Sequence, residues 1–179
     1  MKKYLIWLVL LIALVACKRD KEQPNPDPDL PPATQIGANT FGCYINGQPW
    51  TPKGNIGLGT NFYVSYDPNY LEGTLDIRVD RVIENNDVEG ITIFSGKCKG
   101  VGTYYFEKES NQSLIFIQRK SNVFTTYNGK DLDTSMLGKL IITKFDLQAG
   151  IISGTFHFKL EKQGYPTIEA TEGRFDKKL

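Results

Sequence analysis

Asp76, Arg78 and Asp80 stand at alternate positions of a segment whose intervening residues, Leu75, Ile77 and Val79, are apolar. If that segment is a strand, two carboxylates share one face with a guanidinium between them, at ~6.5–7 Å per step. A pair of carboxylates near such a separation is the equipment of glycoside hydrolysis. Arg78 also suits a plainer role, balancing charge on a wet face, and general-acid duty would need a pocket that raises one carboxyl. His157 is the chain's single histidine; its imidazole could act as a base, but one imidazole makes no metal cluster. No H-E-x-x-H, paired C-x-x-C or G-x-S-x-G is present, so the zinc and serine hydrolase motifs lack their parts. No residue is assigned a catalytic role, and the expectation is a protein that is not an enzyme.

Oxygen-rich turns occur at Glu84-Asn85-Asn86-Asp87 with Glu89, and at Asp131 and Asp133 before Ser135. Calcium needs six to eight oxygen ligands. Neither turn completes the D-x-[DN]-x-[DN]-G loop, and Asn and Asp favour turns for their own backbone reasons. The stretch from Gly54 to Gly59 lacks the Lys-Ser/Thr of a phosphate loop. No metal and no cofactor is expected. Tyr63, Tyr66 and Tyr70, followed later by Tyr104, Tyr105 and Tyr127, could furnish a stacking surface, because tyrosine offers a flat apolar face with a polar tip. Strands are rich in tyrosine in any case. The first three form the candidate binding surface for an envelope protein or a glycan.

The N-terminus carries a different chemistry. Met1-Lys2-Lys3-Tyr4 precedes an uncharged run from Leu5 to Ala16, the basic and apolar regions of an export signal. The run falls short of the ~20 apolar residues that a spanning helix requires. It ends Leu14-Val15-Ala16-Cys17, a match to the bacterial lipobox, which implies cleavage before Cys17 and lipidation of that residue. Residues 1–16 are therefore read as signal peptide and 17–38 as a lipidated Cys17 with a tether. The tether, KRDKEQPNPDPDLPPATQ and onward, has no apolar periodicity that could bury a core. Extended at ~3.1 Å per residue, residues 18–35 would hold the folded part up to ~50 Å from the lipid.

Residues 39–179 are expected to form one domain, of a size that buries roughly two thirds of its unfolded surface. The chain has 21 basic and 20 acidic residues, and loss of Lys2 and Lys3 with the signal leaves 19 against 20. No basic surplus points to nucleic acid. Ten Phe, nine Tyr and seventeen Gly favour strands and tight turns over helices. Cys43 and Cys98 could pair in an exported protein, which would stabilise by about 4 kcal/mol in the chain-entropy model. Two separate buried thiols satisfy the same pattern, and the sequence leaves both open.

Phe41, Cys43 and Ile45 alternate ahead of Asn46-Gly47, a strong hairpin signal, and Trp50 is placed to pack back across it. The segment from Gly73 to Ile83 is the clearest strand, and 62–66, 91–95, 103–107, 114–118 and 123–127 are further candidates bounded by turn residues. The end reads as a three-stranded meander, 139–147, 151–160 and 167–177, with turns at Gln148-Ala149-Gly150 and Gln163-Gly164. Ile168 and Ala170 lie on one parity and Phe175 on the other, so a bulge at Gly173 is expected to return Phe175 to the core. The fold class is all-β: a single antiparallel β-sandwich or small barrel of about nine or ten strands.

The segments L-P-P-A-T-Q-x-G-A-N-T-F-G-C-Y-I-N-G-Q-P-W, G-V-G-T-Y and I-I-S-G-T-F-H-F…E-A-T-E-G-R-F-D resemble an uncharacterised family of Bacteroidota lipoproteins. The resemblance spans nearly all of the mature domain. It implies the anchor and a β-rich fold, and it transfers no catalytic or binding residue. Location in the cell envelope at the outer membrane is expected, with either face open. Three functions remain: a lipid-anchored binding or structural module, an enzyme acting on envelope or extracellular polysaccharide through surface carboxylates, or a ligand-free spacer.

Overall fold

The computed structural model describes residues 29–54, 59–84 and 87–179. The signal segment and Cys17 lie outside the described residues, as do 55–58 of the glycine-rich stretch and Asn85-Asn86 of the first acidic turn. The strands are β1 (Thr40–Ile45), β2 (Gln48–Trp50), β3 (Phe62–Asp67), β4 (Thr74–Val82), β5 (Val88–Gly96), β6 (Gly102–Phe106), β7 (Gln112–Lys120), β8 (Val123–Asn128), β9 (Thr134–Asp146), β10 (Ile151–Lys162) and β11 (Ile168–Lys178). A 3-10 turn, Tyr70–Glu72, lies between β3 and β4. One sheet has the order β2-β1-β11-β10-β9-β6 and the other β3-β4-β5-β7-β8, with antiparallel pairing throughout. The sheets stack as a sandwich and do not close into a barrel. Among the described residues, no helix is long and apolar enough to cross a membrane.

Alternation in the sequence sets which side chains are inside. Leu75, Ile77 and Val79 of β4, Ile91 and Ile93 of β5, and Leu114 and Phe116 of β7 face Leu140 and Ile142 of β9 and Ile152, Phe156, Phe158 and Leu160 of β10 in one continuous core. Asn46 and Gly47 take φ of 49° and 77°, the left-handed pair that a tight hairpin turn requires. The turn brings Trp50 opposite Cys43, where the indole meets Phe41 edge-on at 5.9 Å. β2 has no periodicity to betray it, being three residues long with Pro49 in the middle, a residue tolerated at a sheet edge.

The expected bulge is present. Phe156 pairs with Gly173 and Phe158 with Ala170, so Thr171 and Glu172 share the single partner His157. The extra residue is Glu172, at φ 52°, and it restores Phe175 to the core at 3% exposure. Gly173 beside it admits the Phe156 ring so closely that a Cβ there would lie 2.5 Å from it.

The folded unit starts before Asn39. Residues 29–38, read from sequence as tether, form a strap across the outer face of the first sheet, over β1, β11 and β10. Leu30 is 3% exposed, and Pro31 seats against Gly42. The strap is pinned at Asp176, whose carboxylate accepts hydrogen bonds from the Thr34 hydroxyl (2.6 Å) and the N–H groups of Ile36, Gly37 and Ala38 (3.0, 2.9 and 3.0 Å). Ser153 of β10 donates a fifth at 2.6 Å. Proline-rich composition had suggested a solvated segment; one leucine with a carboxylate able to accept from the turning backbone is enough to dock it.

Candidate functional site

A cleft built by both sheets opens at one end of the sandwich, with a volume of about 520 Å³. Its floor is apolar: Trp50 and Phe116 from the core, with Ile45 and Ile168 beside them. Its walls carry Gln48 and Asn46 from the first hairpin, Arg81 and Glu89 from β4 and β5, Gln118 and Lys120 from β7, and Glu84 and Asp87 from the connecting turn. Glu89 is the fixed point. Its Oε2 accepts from Trp50 Nε1 at 2.9 Å and its Oε1 from Gln118 Nε2 at 2.8 Å. Both oxygens keep lone pairs for a further donor. Arg81 is steadied by donating to the Pro49 carbonyl at 3.0 Å. Asn46 ties the hairpin to β11, donating to Thr167 O and accepting from Glu169 N–H.

A second, shallower groove of about 460 Å³ lies on the outer face of the first sheet beside the strap, lined by Ala33, Thr155, His157, Thr171, Glu172 and Arg174 among others. His157 is exposed there, opposite Lys139 of β9. Arg174 is buried at 7% and donates through Nε to the Glu172 carbonyl.

The residues singled out from sequence fall in several places. Asp76, Arg78 and Asp80 share the outer face of the second sheet, as alternation required, and line neither cleft. Arg78 donates to Asp76 Oδ2 at 2.5 Å, while Asp76 Oδ1 is buried without a hydrogen-bond partner among the described residues. Burial raises the Asp80 carboxyl above the ordinary carboxylate range. Tyr63 and Tyr66 belong to opposite faces of β3. Tyr66 shares the inward parity of Phe62 and Val64 and meets Phe145 edge-on at 4.9 Å, whereas Tyr63 is 48% and Tyr70 57% exposed. The three tyrosines therefore make no single platform. Tyr127 is a core residue whose hydroxyl donates to Pro166 O at 2.9 Å, and Tyr104 donates to Gly100 O at 2.8 Å; Tyr105 remains exposed.

Asp133 is held by Lys162 at 2.9 Å, which lowers its carboxyl, and Asp87 accepts from Ser121 N–H. Among the described residues, no group of three or more His, Cys, Asp or Glu is placed to hold a metal ion. Cys43 and Cys98 are separate, buried and free, so they do not form a disulfide. Burial pushes the Cys43 thiol up to about 12, against smaller opposing effects of Arg81 and Arg174. It raises Cys98 too, despite hydrogen bonds with Tyr104 and Gly100. The thiolate is the reactive form. Iodoacetamide at pH 8 is therefore expected to spare both thiols in the folded domain and to modify two per domain after denaturation, read by intact mass.

Sequence reasoning missed the end cleft and the Asp176 latch. Trp50 and Glu89 are thirty-nine residues apart, and only the packing of β2 against β5 reveals that they meet.

A family described as a domain of unknown function, DUF6252, matches residues 72–177, more than half of the chain, and the chain belongs to that family. The matched span runs from β4 through β11 and so includes Glu89, Gln118, Ser153 and Asp176, but excludes Trp50 and the strap that Asp176 holds. No curated protein and no solved structure matches the chain.

Proposed function

We propose that this member of the DUF6252 family is a lipid-anchored recognition module of the cell envelope, attached through Cys17 at the outer membrane, that receives part of a glycan in the cleft at the end of the sandwich. The observation that carries the reading is the Trp50–Glu89–Gln118 arrangement over an apolar floor. The cleft offers fixed acceptors on Glu89, donors on Arg81 and Lys120, and amides on Asn46 and Gln48. Cations and anions are mixed, which favours a neutral ligand carrying many hydroxyls, each able to donate and accept, with an apolar ring face for the floor. Clefts that combine apolar walls with a few convergent polar groups are the usual form of a small-ligand site. The lipobox Leu14-Val15-Ala16-Cys17 supports the anchor.

The test is a glycan array and an envelope-protein pull-down with the chain from Lys18 onward. Glu89→Gln and Gln118→Ala are expected to weaken glycan binding at least tenfold, roughly 1.4 kcal/mol, while Tyr63→Ala with Tyr70→Ala leaves it unchanged. Loss with the tyrosine pair instead would move recognition to the outer face of β3. No binding in either assay would favour a ligand-free spacer.

The hydrolase reading keeps one supporting observation, the raised carboxyl of Asp80 on a face it shares with Asp76. Release of reducing ends from envelope polysaccharide, abolished by Asp80→Asn, would establish it in place of the recognition module.

A further inference from the structure

The groove on the outer face of the first sheet is built by strands and strap together. β10 supplies Thr155 and His157, β11 supplies Thr171, Glu172 and Arg174, and Ala33 of the strap stands at its side. The strap is docked next to it: Leu30 and Pro31 lie against Gly42, and Gly42 is the cross-strand partner of Arg174. With the Asp176 latch made, one side of the groove is a wall instead of open sheet.

Among the described residues, the lining carries one cation and one anion, Arg174 and Glu172. The bond that links them runs from Arg174 Nε to the Glu172 carbonyl at 3.1 Å and leaves the Glu172 carboxylate outside it. A guanidinium presents five N–H groups in a fixed fork, so Arg174 can receive a carboxylate while keeping the bonds that fix it. Glu172 is placed at some backbone expense. It is the extra residue of the bulge, at φ 52°, a region that disfavours side chains, and strain of this kind gathers at ligand sites. Gly173 cannot take its place, because there a Cβ would lie 2.5 Å from the Phe156 ring and carbonyl. A glycine at 172 would form the same bulge without strain; what the glutamate adds is a carboxylate re-aimed by the bulge.

We infer that this groove is a second binding site, for a small zwitterion, an amino acid or short peptide with a free ammonium and a free carboxylate. The carboxylate lies on Arg174 and the ammonium on Glu172. A simple anion drawn to Arg174 is opposed by Glu172, and a simple cation meets the reverse, whereas a zwitterion satisfies both. The Thr155 and Thr171 hydroxyls and the His157 imidazole complete its hydrogen bonds. Ile141 and Phe156 give the lining an apolar part, which suits a small aliphatic side chain. The groove shares no lining residue with the end cleft, and the inference holds whether or not that cleft takes a glycan.

The probes are alanine and alanylalanine of both hands, titrated through the millimolar range into the isotopically labelled chain from Lys18 onward and followed by NMR, with N-acetylalanine and alaninamide as singly charged controls. The N–H resonances of His157, Thr171 and Gly173 are expected to shift with the zwitterions, and each control is expected to bind at least tenfold more weakly. Glu172→Gln is expected to weaken the zwitterions at least tenfold and to bring N-acetylalanine level with them. Glu172→Gly separates binding from fold: it relieves the strained φ, so the urea midpoint holds or rises while zwitterion binding falls by the same factor. Glu172→Gln decides if the glycine variant loses stability. Absence of shifts at these residues, shifts confined to the end cleft, equal binding of zwitterions and controls, or a Glu172→Gln chain that binds as the wild type does would each overturn the inference.

Discussion

Asp176→Ala is expected to lower the stability of the domain by on the order of 3 kcal/mol, because it orphans the buried Ser153 hydroxyl and releases the strap whose donors converge on the carboxylate. The ceiling is set by the strap itself, which can swing into water and rehydrate its own N–H groups. Urea unfolding at neutral pH measures the loss. The wild-type protein carries a matching pH signature. Burial alone would raise the Asp176 carboxyl, but hydrogen bonds from Ala38, Ser153, Thr34 and Gly37 outweigh it and hold the pKa at about 2, below the ordinary 3.8. A carboxyl depressed on folding contributes stability that is complete above its unfolded pKa and is lost as pH falls through its folded one. About 2 kcal/mol should therefore disappear between roughly pH 4 and pH 2. That part of the acid limb should be missing in Asp176→Asn; an unaltered limb would mean that the latch does not form in solution.

Gly138→Ala should be at least as damaging. Gly138 lies within β9, opposite Phe106 on one side and Phe158 on the other, at φ 142°. An added Cβ would sit 2.2 Å from His157 O and 2.7 Å from the Phe158 Cα, both backbone atoms that cannot yield without opening the β9–β10 ladder. Strained backbone costs about 1–3 kcal/mol and the displaced strand a similar amount, giving a loss on the order of 4 kcal/mol. Gly164→Ala is the control. It also has positive φ, but its Cβ meets nothing within 4 Å, so about 1 kcal/mol is expected. Equal losses in the two variants would show that backbone preference, and not the close approach of β10, governs Gly138.

Strand identity was legible because one face of nearly every strand is buried, and a period of two is then written into the residues. The Ile152–Leu160 alternation and the parity break between Ala170 and Phe175 gave both the meander and its bulge. What alternation does not encode is how the sheets lie on one another. The separation of Tyr66 from Tyr63 follows from β3 having an inner and an outer face, which parity could have indicated. The meeting of Trp50 with Glu89 needed the stacking itself. The strap was misread because its anchoring is polar: Asp176 sits at an outward position of β11, where an acidic residue ordinarily meets water, and its partners are backbone groups that any sequence supplies.

If the chain is held by its N-terminal end, as proposed, the strap also decides where force enters the domain. Tension transmitted along residues 29–38 arrives at Asp176 before it reaches β1, and four of the five bonds there come from the strap itself. Converging on a single carboxylate, they are loaded together rather than peeled one by one. The latch would act as a mechanical fuse, giving way and paying out ten residues of slack while the sandwich behind it stays folded.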